Sequence, residues 1–158
     1  MTLKFNLKKF IIALLIPLGV GGLSALITGK DMKIYNEIIR PPLSPPSIVF
    51  PIAWGILYIL LGISLYLIMQ SGDRYTDKTK AYLFFAAGLI FNFLWSPIFF
   101  SARLYLVALF ILIMLFISII LMVKEFFKIS KTAALLQIPY ILWLIFAAYL
   151  NTAIFILN

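Results

Sequence analysis

The residues of this chain best suited to chemistry are three tryptophans, each set in an apolar span beside a proline or a polar side chain. They are Trp54 in Pro51-Ile-Ala-Trp-Gly-Ile-Leu-Tyr58, Trp95 in Asn92-Phe-Leu-Trp-Ser-Pro97, and Trp143 in Pro139-Tyr-Ile-Leu-Trp143. Membrane proteins ordinarily keep tryptophan at the lipid–water boundary, where one ring edge stays wet. Recurrence beside helix breakers points instead to an inward-facing aromatic site. Helical spacing extends each indole into a stripe. Trp54 and Tyr58 are four apart, Asn92, Trp95 and Phe99 fall at i, i+3 and i+7, and Trp143, Ala147 and Asn151 follow a slowly drifting line. An unpaired amide facing lipid costs several kcal/mol, so Asn92 and Asn151 must both face protein. Two uses fit them: a hydrogen-bonded bridge between helices, or the polar contacts of a pocket. Aromatic stripes likewise serve either a core or a site.

What is absent narrows the chemistry. The chain has no cysteine and no histidine, which removes thiolate and imidazole metal sites, disulfides and nucleophile–histidine catalysis. Only Met or Tyr is left to ligate haem iron axially, and no metal site is expected. The central parts of the apolar spans carry no Asp, Glu, Lys or Arg, so a proton relay or ion-coupled antiporter lacks a titratable group at membrane depth. A pocket trimmed with rings, amides and hydroxyls remains. That is the chemistry of binding a large, flat, mostly apolar molecule.

The elements that must position these residues are membrane helices. Of 158 residues, 65% are hydrophobic and 11% charged, against about 25% charged in a soluble domain. Five apolar stretches, near residues 8–27, 47–70, 80–100, 104–126 and 133–156, are long enough to cross about 30 Å of hydrocarbon. The first follows Lys4, Lys8 and Lys9 and reads as an uncleaved helix rather than a signal peptide. The expected fold is therefore an all-α membrane protein, a single domain forming a five-transmembrane-helix bundle. Short connections at 71–79, 101–103 and 127–132 predict that helices two to five pack as antiparallel neighbours.

Basic residues give the orientation. Lys4, Lys8, Lys9, Arg74, Lys78, Lys80, Lys124, Lys128 and Lys131 fall on one side, and Lys30, Lys33, Arg40 and Arg103 on the other. Nine against four places the amino terminus in the cytoplasm and the carboxyl terminus outside. The net charge of +8 is thus a topology signal and an attraction to anionic headgroups. No basic aromatic groove accompanies it, so no nucleic-acid partner is expected.

The connection at 28–46 is long and structured. Met32, Ile34, Tyr35, Ile38 and Ile39 alternate with Lys33, Asn36, Glu37 and Arg40, which suits one short amphipathic turn of helix. Pro41-Pro42-Leu43-Ser44-Pro45-Pro46 then forms a stiff extended segment. Together they predict a lid over one end of the bundle. Pro17, Pro51, Pro97 and Pro139 each read as a break within a span, tolerated where a neighbour or a lined cavity satisfies the freed carbonyl. Gly19, Gly21, Gly22, Ser24 and Ala25 on the first helix serve close packing foremost, and pocket access besides.

Three separated segments carry a family resemblance. Arg40-Pro-Pro-Leu-Ser-Pro-Pro46 with Phe50, Trp54 and Leu57-Tyr58, then Asn92-Phe-Leu-Trp-Ser-Pro-Ile-Phe-Phe100, then Pro139-Tyr140 with Trp143, Phe146-Ala147 and Leu150-Asn151, resemble the motifs of the tryptophan-rich sensory proteins, also called translocator proteins or peripheral benzodiazepine receptors. The resemblance covers nearly the whole chain. It implies a pocket for porphyrins such as protoporphyrin IX, with no cofactor required beyond the porphyrin as ligand. Trp54, Asn92, Trp95, Trp143, Ala147 and Asn151 would line it, with Tyr58 and Phe99 on the same stripes and Tyr35, Pro42 and Pro45 near the lid. It further implies a regulator or sensor of tetrapyrrole or stress status. The alternatives are light- and oxygen-dependent porphyrin breakdown, with Trp54 and Trp143 as the catalytic pair, and transport of small hydrophobic or anionic molecules.

The cysteine-free, short and basic-ended sequence suggests a bacterial cell membrane, although some relatives occupy outer membranes, and the resemblance implies a homodimer through helix three, for which Ala86-Ala87-Gly88 offers a small-residue surface. Two departures stand out. Ile34 precedes Tyr35 where many relatives carry tryptophan, which removes one stacking partner. No Lys or Arg follows Lys131, so the sterol-recognition motif of animal members is not carried over.

Overall fold

The computed structural model describes residues 5–71 and 76–158. Its helices are α1 (Leu7–Thr28), α2 (Val49–Gln70), α3 (Thr79–Ser96), α4 (Tyr105–Ile129), α5 (Lys131–Leu135) and α6 (Ile138–Leu157). A 3₁₀ turn at Asp31–Asn36 lies in the lid, and a π-type turn at Pro97–Ser101 extends α3. Five units are long and apolar enough to cross a membrane: α1, α2, α3 with its π turn, α4, and α5 with α6. Among the described residues there is no strand, so the fold is the expected all-α membrane bundle. Lys4 and Arg74, two of the basic residues used for orientation, lie outside the described residues.

Around the bundle α1 packs on α2, α2 on α5, α5 and α6 on α4, α4 on α3, and α3 on α1. Helices α2 and α3 are thus not flanking neighbours, contrary to the expectation from loop length. Loop length limits reach but does not choose a partner; glycines make that choice here. A Cβ on Gly62 would stand 2.9 Å from the Ala13 carbonyl oxygen, and one on Gly21 would stand 2.2 Å from the Tyr58 ring. Both helices close on each other only because these positions lack side chains.

The prolines divide by position. Pro17 alone lies within a helix interior, where it leaves the Ala13 carbonyl without its usual donor. Gly62 packs directly over that carbonyl and shields it from lipid. Pro51 and Pro139 fall instead in the first turns of α2 and α6, where an amide donor has no intrahelical acceptor to lose. Pro97 opens the π turn, in which the Ala102 amide donates to the Pro97 carbonyl at 2.9 Å. Its effect is a widened end of α3.

The fifth span is also not one helix. It stops at Leu135 and restarts at Ile138, because Pro139 has no amide to offer the Leu135 carbonyl. Around the break the Gln137 amide turns to the Ala134 carbonyl at 3.0 Å, so the Ala133 carbonyl loses its donor. Ser64 on α2 supplies one, its hydroxyl donating at 2.9 Å. Gln137 in turn donates to Ser64 Oγ at 2.7 Å. Side chains of a neighbouring helix thus satisfy what the break releases.

Leu61, Leu112, Leu115, Ile119, Met122, Phe126, Leu144 and Ile154 are fully buried between the helices. The outward faces carry Leu15, Leu26, Phe110 and Leu142, as a lipid-facing surface requires. Gly88 is turned inward, where an added Cβ would stand 3.1 Å from Ile119. Of the small-residue surface expected on helix three, Ala86 remains exposed and Ala87 half-buried.

Candidate functional site

The inner stripes of α2, α3 and α6 converge on one aromatic cluster. Trp54 stands at its hub, with ring centroids 6.0 Å from Tyr58, 6.0 Å from Trp95, 6.0 Å from Tyr140 and 6.3 Å from Trp143. Trp95 stacks on Phe99 at 5.1 Å. Phe50, from the first turn of α2, meets Trp143 edge-on at 6.1 Å and Tyr35 of the lid at 4.9 Å. Offset and edge-on contacts suit the ring quadrupoles.

Two asparagines hold this cluster. The Tyr58 hydroxyl donates to Asn92 Oδ1 at 2.7 Å, and Asn92 Nδ2 donates to the Tyr140 hydroxyl. Trp95 Nε1 donates to Asn151 Oδ1 at 3.1 Å, and Asn151 Nδ2 donates to the Tyr105 carbonyl at 2.8 Å. Both amides face protein, as their burial cost demands. Each bridges three elements of the chain, so the hydrogen-bonding role left open by periodicity is realised at both positions.

Beside the cluster lies a cavity of about 280 Å³, enclosed by the second half of α1, the first half of α2 and the end of α3. Trp54, Tyr58, Asn92 and Trp95 form its aromatic wall; Phe50, Phe100 and Met32 close it toward the lid. The opposite wall is α1, with Gly21, Gly22, Ser24, Ala25 and Thr28. Gly22, Ala25 and Pro51 both line the cavity and are exposed, so the cavity is open between α1 and α2, on a face of the bundle that meets lipid. A Cβ on Gly22 or Gly55 would meet nothing within 4 Å. The polar atoms are few: the Ser24 hydroxyl is buried without a partner, and Thr28 Oγ1 lies 3.2 Å from Ser96 Oγ and donates to the Ser24 carbonyl. With no carboxylate, amine or thiol on the wall, the space suits stacking and desolvation of a flat apolar molecule rather than bond-making by protein groups.

The remaining expected site residues lie elsewhere. Tyr35, Phe99, Ala147 and Asn151 surround a second, nearly filled gap on the far side of Trp95. Trp143 stands behind Trp54 and off the cavity wall, its Nε1 buried without a partner. Pro42 is exposed and Pro45 half-buried, and neither reaches the cavity. The small residues of α1 read as a packing stripe first and as pocket access second; Gly22, Ser24 and Ala25 do form a cavity wall, together with Thr28, which sequence reasoning missed. Gly21, Ser24, Ala25 and Thr28 fall at i, i+3, i+4 and i+7, which was the available signal.

The lid is tied down at several points. The Ile39 amide donates to Asn158 Oδ1 at 3.0 Å while Asn158 Nδ2 donates to the Ile39 carbonyl at 2.9 Å. Tyr149 donates to the Pro42 carbonyl at 2.8 Å, and Ser101 donates to Asp31. Burial of Tyr35 raises its phenol pKa above the usual tyrosine value, opposed by nearby Ser44 and Arg40.

Comparison with known proteins agrees with this architecture. A family model described as the TspO/MBR family matches residues 13–157. The tryptophan-rich protein TspO of Archaeoglobus fulgidus is 36% identical over 97% of this chain and 99% of its own length. The tryptophan-rich sensory protein of Cereibacter sphaeroides is 32% identical over 77% of this chain and 75% of its own. The human translocator protein is 31% identical over 81% and 76%. With five membrane-length helices, an aromatic cavity and matches of this extent, the chain belongs to the TspO/MBR family.

Proposed function

We propose that this protein binds a porphyrin or a similar flat tetrapyrrole in the cavity beside Trp54 and acts as a membrane regulator or sensor of that ligand. The observation that carries the reading is the place of Trp54: it is both cavity wall and hub of the three-indole cluster. A macrocycle stacked there touches one indole that is itself in contact with the other two. A whole macrocycle exceeds about 280 Å³, so part of it occupies the slot beside Gly22 and Pro51, which opens to lipid. Apolar walls and the absence of histidine favour metal-free porphyrin over tightly ligated haem.

The test is titration of protoporphyrin IX into the detergent-solubilised protein in the dark, following tryptophan quenching. Saturable binding that weakens about three- to tenfold in Trp54→Phe, the usual weight of an aromatic contact, supports the reading. Unsaturable binding, or equal affinity in the variant, overturns it.

A second reading, light-driven porphyrin oxidation, is favoured by the edge-on Trp54–Trp143 contact at 6.3 Å. In this reading dioxygen is the oxidant and the porphyrin is what loses electrons; the indole pair against the ring can lend the excited ligand an electron and take it back, with no net change in the protein. Product formation that needs both light and oxygen, and that falls in Trp143→Phe, separates it from binding alone.

We further propose a bacterial cell-membrane location with the amino terminus in the cytoplasm, an orientation supported by the excess of basic residues on that side of the sequence. Because the chain has no cysteine, single cysteines at Lys33 and Lys128 report sidedness directly to an impermeant maleimide. A homodimer through α3 is proposed on the exposed Ala86 face rather than on Gly88.

A further inference from the structure

On the outer side of the lid, away from the aromatic cavity, lies an open hollow lined by Asn36, Arg40, Ser44 and Ser47 with Pro41 and Pro46. Arg40 is its only charge. Among the described residues the one ion pair is Lys128–Glu125, so Arg40 has no carboxylate partner. Its guanidinium carbon stands 5.3 Å over the centre of the Tyr35 ring, a cation–π seat that holds the head in place. Tyr35 is 1% exposed and its hydroxyl has no hydrogen-bond partner; Arg40 and Ser44 are the polar groups nearest to it.

The backbone on either side of Arg40 is fixed as well. Asn158 takes both polar groups of Ile39, and Tyr149 holds the Pro42 carbonyl. An unpaired arginine is thus anchored by its neighbours and its own ring contact, although no protein acid requires it there. Immobilising a guanidinium costs side-chain entropy, which the contact with Tyr35 offsets.

The rim identifies the occupant. Leu43 is 82% exposed and adopts a left-handed backbone, φ 66°, a conformation that costs a leucine energy. Ile39 and Ile48, next in sequence to the lining residues Arg40 and Ser47, are 61% and 62% exposed. Leu43 thus lines the hollow with Arg40, and two further exposed apolar side chains lie on the same segment at the end of a membrane bundle. Apolar tips in the acyl boundary with a guanidinium at headgroup level match one chemistry.

We propose that Arg40 and this hollow seat the phosphate of an anionic phospholipid, with Leu43, Ile39 and Ile48 against its acyl chains. The guanidinium offers paired donors to the phosphate oxygens, and Ser47 and Asn36 add neutral ones. A lipid in this seat rests on the lid segment clasped by Asn158 and Tyr149, so it braces the cover of the aromatic cavity. The seat is independent of what that cavity binds.

The test is native mass spectrometry of the full chain in neutral detergent with dioctanoyl phosphatidylglycerol. The expected result is one saturable bound lipid, weakened about fivefold by Arg40→Gln, the usual weight of one basic side chain at a membrane surface. Arg40→Lys retains the charge and most of the binding, and Arg103→Gln at the same end of the bundle leaves it unchanged. Equal loss in Arg40→Gln and Arg103→Gln would show diffuse attraction and overturn the proposal. So would equal binding of dioctanoyl phosphatidylcholine, or equal displacement by inorganic phosphate at the same concentration.

Discussion

Gly62 of α2 lies against the carbonyl of Ala13, the one carbonyl of α1 that Pro17 leaves without its helical donor. Sequence-distant residues thus form one device: the proline frees an oxygen, and the glycine lets a neighbouring backbone cover it. The device also sets the distance between α1 and α2, and with it the slot through which the cavity meets lipid.

Gly62→Ala is expected to destabilise the bundle by about 1–3 kcal/mol, the range for overpacking a close contact. Gly22→Ala, where an added Cβ meets nothing within 4 Å, is expected to be neutral or stabilising by up to about 1 kcal/mol. Thermal unfolding in detergent measures both. A similar loss in the two variants would mean that helix propensity, not the Ala13 contact, governs this face.

Asn92 holds Tyr58 and Tyr140 together. Asn92→Leu strands two buried hydroxyls and should cost about 1–3 kcal/mol for each. Adding Tyr58→Phe and Tyr140→Phe removes the stranded groups and should restore part of the loss. A triple variant no more stable than Asn92→Leu would show that shape rather than hydrogen bonding dominates here.

Trp95→Phe keeps an aromatic ring on the cavity wall but removes the donor to Asn151 Oδ1. The expected outcome is a stability loss of about 1–3 kcal/mol with porphyrin affinity changed less than in Trp54→Phe. A larger affinity loss in Trp95→Phe would move the centre of the site from Trp54 to Trp95.

Asn158→Ala removes both hydrogen bonds to Ile39, and Tyr149→Phe removes the one to Pro42. Hydrogen exchange across residues 36–44 should accelerate in either variant and most in the double, with the amides of α4 unchanged. Uniform acceleration would mean global loosening rather than release of the lid.

Tyr35 supplies a pH dependence. Burial raises its pKa above the usual value of about 10, so the folded chain holds the phenol proton over a window where the unfolded chain has lost it. Stability therefore falls as pH rises from about 10 toward the raised value. Tyr35→Phe, which removes a hydroxyl without a hydrogen-bond partner, should flatten that decline while costing little at pH 7. An unchanged alkaline decline in Tyr35→Phe would assign it to other groups.

Composition and hydropathy by themselves determined the membrane class and the five spans, because burial of apolar surface in lipid needs only length and the absence of charge. The cost of an unpaired amide in hydrocarbon likewise determined that Asn92 and Asn151 face inward. Helical periodicity grouped Trp54 with Tyr58 and Trp95 with Asn92 and Phe99, since side chains four apart share a face in any helix. Which faces meet was decided only by tertiary structure. Whether Trp143 lines the cavity or backs Trp54, whether α3 flanks α2, and whether Gly88 points to α4 or to lipid all depend on helix rotation and approach distance. Those are set by contacts such as Gly62 on Ala13 and Gly21 on Tyr58, between residues too far apart in sequence for any local pattern to pair. The break at Gln137 shows both levels at once: Pro139 announces it, but only Ser64, brought alongside from α2, makes it tolerable.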